Sequence, residues 1–161
     1  MLFADGDGCR RDRQAADRVT VVSDADRAPE LAAIDEVCFT DPWSETSFRE
    51  ALAGEGYTFV ALEENGSLIG YAGMLTVLDT ADITNVAVLP AFRRQGLAKE
   101  LITALMTAAK EQGVTRIQLE VRESNTAART LYESLGFTVD GKRKRYYRRP
   151  DEDAVLMSLS L

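Results

Sequence analysis

The sequence predicts an α/β (α+β) fold, one domain built around a mixed sheet. Three observations carry this reading. Strand and helix patterns alternate along the chain after an opening hairpin. A length of 161 residues suits a single domain whose core needs no disulfide or metal staple. No repeat, Pro- or Ser-rich linker or low-complexity block divides the chain.

The elements follow in order. Residues 1–18 are polar, charged and aperiodic, and are read either as a disordered leader or as the product of a start codon placed too early; the domain is expected over 19–161. Val19 to Val22 is a short strand. Leu31, Ile34, Val37 and Cys38 recur at helical spacing, and Phe39-Thr40-Asp41-Pro42 breaks that helix. Ser44 is an N-cap for a helix through Phe48 and Leu52, which ends near Gly54 and Gly56. Tyr57 to Glu63 and Leu68 to Leu78 form a hairpin about Asn65-Gly66. Asp82 to Leu89 is a strand stopped by Pro90. The stripe Leu97, Leu101, Ile102, Leu105, Met106 and Ala109 marks a strong helix that Gly113 ends. Arg116 to Arg122 is a strand, and Asn125 to Leu135 a helix with Gly136 as its cap. Phe137 to Gly141 and Ala154 to Leu161 are final strands around a basic loop, Lys142 to Arg149.

Composition removes several function classes. Nineteen Lys and Arg against 26 Asp and Glu leave a net charge of −7. That opposes general nucleic-acid binding and favours a basic partner. Histidine is absent, so Ser-His-Asp and Cys-His catalysis and imidazole metal sites are excluded, and no metal is expected. No apolar run reaches the ~18 residues that span a bilayer, and acids stand where a signal peptide is apolar. The expected compartment is the cytoplasm, with no membrane partner. Cys9 and Cys38 form no disulfide framework; Cys38 is either a small buried side chain or a reactive thiol.

One unit points to chemistry. A strand feeds Pro90-Ala91-Phe92, then Arg93-Arg94-Gln95-Gly96-Leu97-Ala98, then a helix. A small-residue turn at a helix N-terminus presents several unpaired backbone N–H groups at its positive end, which together suit a pyrophosphate. The competing reading is a βα turn whose glycine only relieves strain. Neither G-x-G-x-x-G nor G-x-x-x-x-G-K-[ST] is present.

The run Asn85-Val86-Ala87-Val88-x-Pro90-x-x-Arg93-Arg94-Gln95-Gly96-Leu97-Ala98 resembles the acetyl-coenzyme A motif of the GNAT N-acetyltransferases, [QR]-x-x-G-x-[GA]. Leu119-Glu120-Val121-Arg122-x-x-Asn125-x-x-Ala128-x-x-Leu131-Tyr132-x-x-x-Gly136-Phe137 resembles the second half of that fold. The likeness covers roughly residues 18 to 161. It implies a GNAT-like domain, a mostly antiparallel sheet of about seven strands with helices on both faces, and acetyl-CoA as cosubstrate. Val86, Ala87, Val88, Arg93, Arg94, Gln95, Gly96, Leu97, Ala98, Lys99 and Asn125 are the implied coenzyme contacts. Ala98 replaces a commoner glycine, which the pattern permits. Pro42-Trp43-Ser44 and Tyr146-Tyr147 add a resemblance to the RimI type, which acetylates the N-terminal alanine of a small-subunit ribosomal protein. The implied partner is therefore a basic protein or peptide N-terminus.

Each site residue carries two readings. Glu120 alternates out of the apolar face of its strand; it is either an edge carboxylate paired to an arginine or, as the resemblance implies, the general base. Tyr132 is either a core tyrosine with its hydroxyl at the rim or the general acid to the leaving thiolate. Asn125 is a helix N-cap and, by resemblance, also a coenzyme contact. Trp43 either seals the core or lines the peptide side. Tyr146 and Tyr147 sit in a stretch read as a solvated hairpin, as a nucleic-acid contact or, by resemblance, as a lid over the peptide. Two further functions stay open: a GNAT acting on a small-molecule amine, and a non-catalytic acetyl-CoA-binding module.

Overall fold

The computed structural model describes residues 18–161. The leader, residues 1–17, and Cys9 within it lie outside the described residues. In chain order the elements are β1 (Val19–Val22), α1 (Ala28–Cys38), α2 (Glu45–Ala53), β2 (Tyr57–Glu64), β3 (Ser67–Val77) and β4 (Thr80–Val88), then α3 (Leu97–Glu111), β5 (Arg116–Arg122), α4 (Thr126–Ser134), β6 (Thr138–Tyr147) and β7 (Glu152–Ser160). The strands form one seven-stranded sheet in the order β1-β2-β3-β4-β5-β7-β6. Every neighbouring pair is antiparallel except β4 with β5.

Local chemistry explains the boundaries. The Ser44 hydroxyl accepts the Ser47 N–H at 3.1 Å and starts α2. Asn65 and Gly66, with φ of 52° and 81°, turn the chain tightly between paired Glu64 and Ser67. The same two-residue connection recurs at Leu78-Asp79, between paired Val77 and Thr80, with Leu78 at φ 57°. β4 therefore begins at Thr80, ahead of the expected Asp82. An exposed leucine in the left-handed region is no turn signal, so the hairpin was hidden.

Two hydrophobic layers hold the sheet. On one face α1 and α2 bring Leu31, Ile34 and Phe48 against Phe59, Tyr71 and Ala87. On the other, α3 buries Leu101, Ile102 and Leu105 against Val60, Met74, Ile117 and Met157, and α4 adds Tyr132. Truncating one such sealed leucine to alanine costs about 2–5 kcal/mol. The stripe expected on α1 is rotated: Val37 faces solvent, while Asp35 is buried at 1% exposure.

The basic stretch is mostly strand, not loop. β6 continues through Lys142 to Tyr147, and only residues 148–151 turn back into β7. β6 is the sheet's edge, and cations on an edge strand block pairing with other chains. A charge run does not by itself report backbone conformation.

The parallel pair positions the site. β4 and β5 pair only at Thr80–Arg116, Ala81–Ile117 and Asp82–Gln118. Beyond these, Ile83 to Val88 and Leu119 to Arg122 run on without pairing to each other. A bulge in β4 between Ile83 and Asn85 accompanies the divergence. The result is a slot through the sheet, open between its two helical layers.

Candidate active site

The coenzyme-type turn stands at the head of this slot. Arg94 and Gly96 take left-handed φ values of 62° and 74°, and Gly96 is the N-cap residue of α3. The Gly96 carbonyl accepts the Glu100 N–H at 3.3 Å. The N–H groups of Leu97, Ala98 and Lys99 consequently have no partner within the helix and point out of its positive end. Gln95, Arg94 and Lys99 are exposed around them. This donor set fits a diphosphate, and the cations match its charge.

Arg93 does something else. Its Nε donates to the Val88 carbonyl at 2.9 Å, and its Nη2 approaches the Cys38 sulfur at 3.6 Å. The Cys38 thiol donates to the same carbonyl at 3.5 Å. Arg93 thus clamps the turn to the end of β4 and to α1, and Cys38 belongs to that clamp.

One edge of β4 is available in the slot. The Leu89 N–H donates to Ile69 on the β3 side. Strand alternation turns the N–H groups of Val86 and Val88 the opposite way, toward the unpaired edge, while Ala87 faces β3.

Across the slot, β5 alternates as expected. Ile117, Leu119 and Val121 are buried, and Gln118, Glu120 and Arg122 are half-buried on the opposite face. The helices on that side, α1 and α2, pack mainly on β2, β3 and β4. The Glu120 carboxylate has no hydrogen bond or ion pair among the described residues. The arginine pairing weighed for it is absent: its neighbour Arg122 pairs with Glu152 at 3.4 Å.

Tyr132 lies 7% exposed on α4, edge-to-face with Phe137 at 5.6 Å between centroids. Burial, followed by the neighbouring Tyr147 phenol, pushes its pKa up to about 12. Tyr147 is also pushed up to about 12, by burial first and then by Tyr146 and Glu120. Tyr147 is thus close enough to Tyr132 and Glu120 for their charges to be felt. The Arg122 guanidinium stacks on the Tyr147 ring at 4.4 Å and donates to the Arg148 and Pro150 carbonyls at 3.3 and 3.1 Å. Sequence reasoning missed Arg122 as the organiser of this turn; an arginine at a strand end carries no such signal. Tyr146 is more exposed and packs edge-on to Tyr147 at 5.0 Å.

Both raised phenols give an alkaline prediction. A folded pKa above the ordinary 10 adds stability that is intact below pH 10 and is lost as pH rises through about 12. Phenolate absorbance should show three of the five tyrosines titrating late, Tyr71 among them because burial and then the Asp35 carboxylate push its phenol well up, with Tyr132→Phe and Tyr147→Phe each removing one. Normal titration of all five contradicts the burial of these hydroxyls.

Two residues sit at other edges. Asn125 Oδ1 accepts the Ala128 N–H at 3.2 Å and caps α4. Trp43, between α1 and α2, packs against Phe48 and Tyr57 at 5.3 and 5.9 Å and lines a cavity of about 380 Å³ with Ser47, Glu50, Ala51, Gly54, Glu55 and Tyr57. No ring contact joins Trp43 to Tyr146 or Tyr147 among the described residues.

A sequence profile for the Acetyltransferase (GNAT) family matches residues 28–137. The chain belongs to the GNAT family. Two relatives are named [ribosomal protein bS18]-alanine N-acetyltransferase. The Escherichia coli (strain K12) protein is 43% identical over 122 residues, covering 74% of this chain and 82% of its own. The Haemophilus ducreyi protein is 40% identical over 136 residues, covering 81% and 92%. The crystal structure of the ribosomal-protein-S18-alanine N-acetyltransferase from Escherichia coli superposes with a TM-score of 0.81 at 39% identity, covering 88% of this chain and 93% of that one. The seven-stranded sheet with helices on both faces is thus the GNAT fold, and this GNAT chain is an acetyltransferase of the RimI kind. Among the described residues no helix is long and apolar enough to cross a membrane.

Proposed function

We propose that this GNAT chain transfers acetyl from acetyl-CoA to the N-terminal α-amine of a protein, the acceptor being the N-terminal alanine of ribosomal protein bS18. The reading rests on one observation above all. The slot has helix-start amides at its head, outward amides on one wall and, on the other, the Glu120 carboxylate, which has no ion pair among the described residues. The kinship with alanine N-acetyltransferases supplies the acceptor class.

Acetyl-CoA supplies an acetyl thioester. The amides of Leu97, Ala98 and Lys99 hold its diphosphate, with Arg94 and Gln95 beside them, and Asn125 flanks the far side. The Val86 and Val88 N–H groups receive the carbonyl oxygen as negative charge develops on it. An α-amine, with a pKa near 7.7–8.0, must shed a proton to attack. Glu120 takes that proton, directly or through one water, as the new bond makes the nitrogen acidic. Tyr132 faces the departing sulfur. With a pKa raised to about 12, full transfer to a thiolate of pKa about 8.5 is uphill by about 5 kcal/mol. Tyr132 therefore acts by hydrogen bonding to the thiolate. Tyr132→Phe should lower kcat about 10- to 100-fold with KM for acetyl-CoA unchanged; an unchanged kcat removes Tyr132 from the mechanism. Trp43, Tyr146 and Tyr147 border the peptide. No step calls for a metal, and no nucleic acid takes part.

The test compares kcat/KM on alanine-started peptides of the bS18 N-terminus with a panel of polyamines and amino sugars. Acetylation of the peptide α-amine, confirmed by mass spectrometry, with far lower values on the small amines supports the reading. Preference for a small amine overturns it. Binding of acetyl-CoA with no thiol release on any amine makes the chain a binding module.

A further inference from the structure

Among the described residues one carboxyl group is buried, and it has no role in the chemistry above. Asp35, on the last turns of α1, is 1% exposed. Its Oδ2 accepts the Trp43 N–H at 3.0 Å, and its Oδ1 accepts the Tyr71 hydroxyl. Tyr71, fully buried on β3, pairs across the sheet with Ala87 of β4. Ala87 stands between Val86 and Val88, whose N–H groups face the slot. The Asp35 carboxylate thus ties the 39–44 connection and α1 to β3, and strand pairing carries the tie to the slot wall. Burying a carboxylate is costly, and here desolvation outweighs the two hydrogen bonds, so the carboxyl is held above its ordinary range. An apolar residue would fill this core position without that cost.

We propose that Asp35 is a positioning residue for the acceptor: its carboxylate, oriented by Tyr71, fixes the 39–44 connection and Trp43 in register with the slot wall at Val86 and Val88. This deepens the proposed function and rests on its reading of Trp43 as part of the peptide side. Trp43 is the carrier of the effect. Its backbone is held by Asp35, and its ring, held by Phe48 and Tyr57, forms one wall of the 380 Å³ cavity. An asparagine offers one acceptor where the carboxylate offers two. Asp35→Asn either keeps the Trp43 N–H and reverses the Tyr71 bond, with its amide N–H donating to the phenol oxygen, or keeps the Tyr71 hydroxyl and sets an amide NH2 against the Trp43 N–H; in both arrangements the connection moves relative to the slot. The coenzyme turn touches α1 through Cys38 and Arg93 rather than through Asp35, so coenzyme binding is left alone.

Two readouts test this on the full chain. Trp43 is the only tryptophan, so its emission reports the connection without any turnover. Asp35→Asn should red-shift that emission, raise KM for the bS18 peptide about tenfold, and leave the acetyl-CoA Kd within about twofold. Tyr71→Phe keeps the ring and removes only the hydroxyl; it should raise the peptide KM by a smaller factor, again with unchanged coenzyme Kd. A merely structural role moves coenzyme Kd, peptide KM and thermal midpoint together, and that result overturns the proposal. So does unchanged Trp43 emission with unchanged peptide KM in both variants. If Asp35→Asn does not fold, Tyr71→Phe decides on the same readings. Wild-type protein that acetylates no α-amine contradicts the proposed function instead, while the emission readings still decide whether Asp35 holds Trp43.

Discussion

Glu120→Gln lowers kcat about 10²–10³-fold while acetyl-CoA Kd stays within about twofold. The physical reason is local. Gln keeps the size of the side chain and loses only the capacity to take a proton. Glu120 has no hydrogen bond or ion pair among the described residues, so no such contact is lost with its charge. The variant therefore folds and binds coenzyme, and the loss falls on the step in which the amine gives up its proton. Stopped-flow or steady-state release of thiol, with calorimetry for the Kd, separates the two. A purified variant with wild-type turnover contradicts the assignment. The pH profile is a second arm. kcat/KM for wild type rises through the α-amine pKa near 7.7–8.0. No fall from tyrosine ionisation follows until about pH 12, where Tyr132 and Tyr147 titrate.

Gly96→Val weakens acetyl-CoA binding roughly five- to thirty-fold, because a β-branched residue at φ 74° costs about 1–2 kcal/mol and pulls the turn out of shape. A Cβ at this position meets nothing within 4 Å. The effect is thus one of backbone conformation rather than crowding in the empty protein. Circular dichroism and thermal midpoint change little, since the turn is exposed and the apolar face of α3 is untouched. Unchanged coenzyme affinity in Gly96→Val places the diphosphate elsewhere.

Much of this was legible in the sequence, for identifiable reasons. Asn65-Gly66 specified its hairpin because few residues tolerate two left-handed positions. Ser44 and Asn125 marked helix starts because their short oxygens reach the N–H groups of the first turn. The period-two alternation of β5 placed Glu120 correctly off the apolar face. Where reading failed, tertiary contacts had overridden local signals. Nothing local distinguishes Asp35 from a solvent-facing acid; its burial depends on Tyr71 and the Trp43 N–H, 36 and 8 residues away in the chain. Nor does any local signal show that Arg93 holds the Val88 carbonyl at the end of β4. The basic run read as a loop because charge suggests solvent, whereas an edge strand is also solvated along one side. The opening of the slot follows from how far β4 and β5 pair, which no single-sequence pattern encodes.

The most direct test is a crystal structure of the full chain with acetyl-CoA bound. The account predicts diphosphate oxygens on the amides of Leu97, Ala98 and Lys99, the thioester carbonyl against the Val86 or Val88 N–H, and the acetyl carbon on the Glu120 side of the slot. Coenzyme seated away from the start of α3, or a thioester on the far side of the sheet from Glu120, contradicts it.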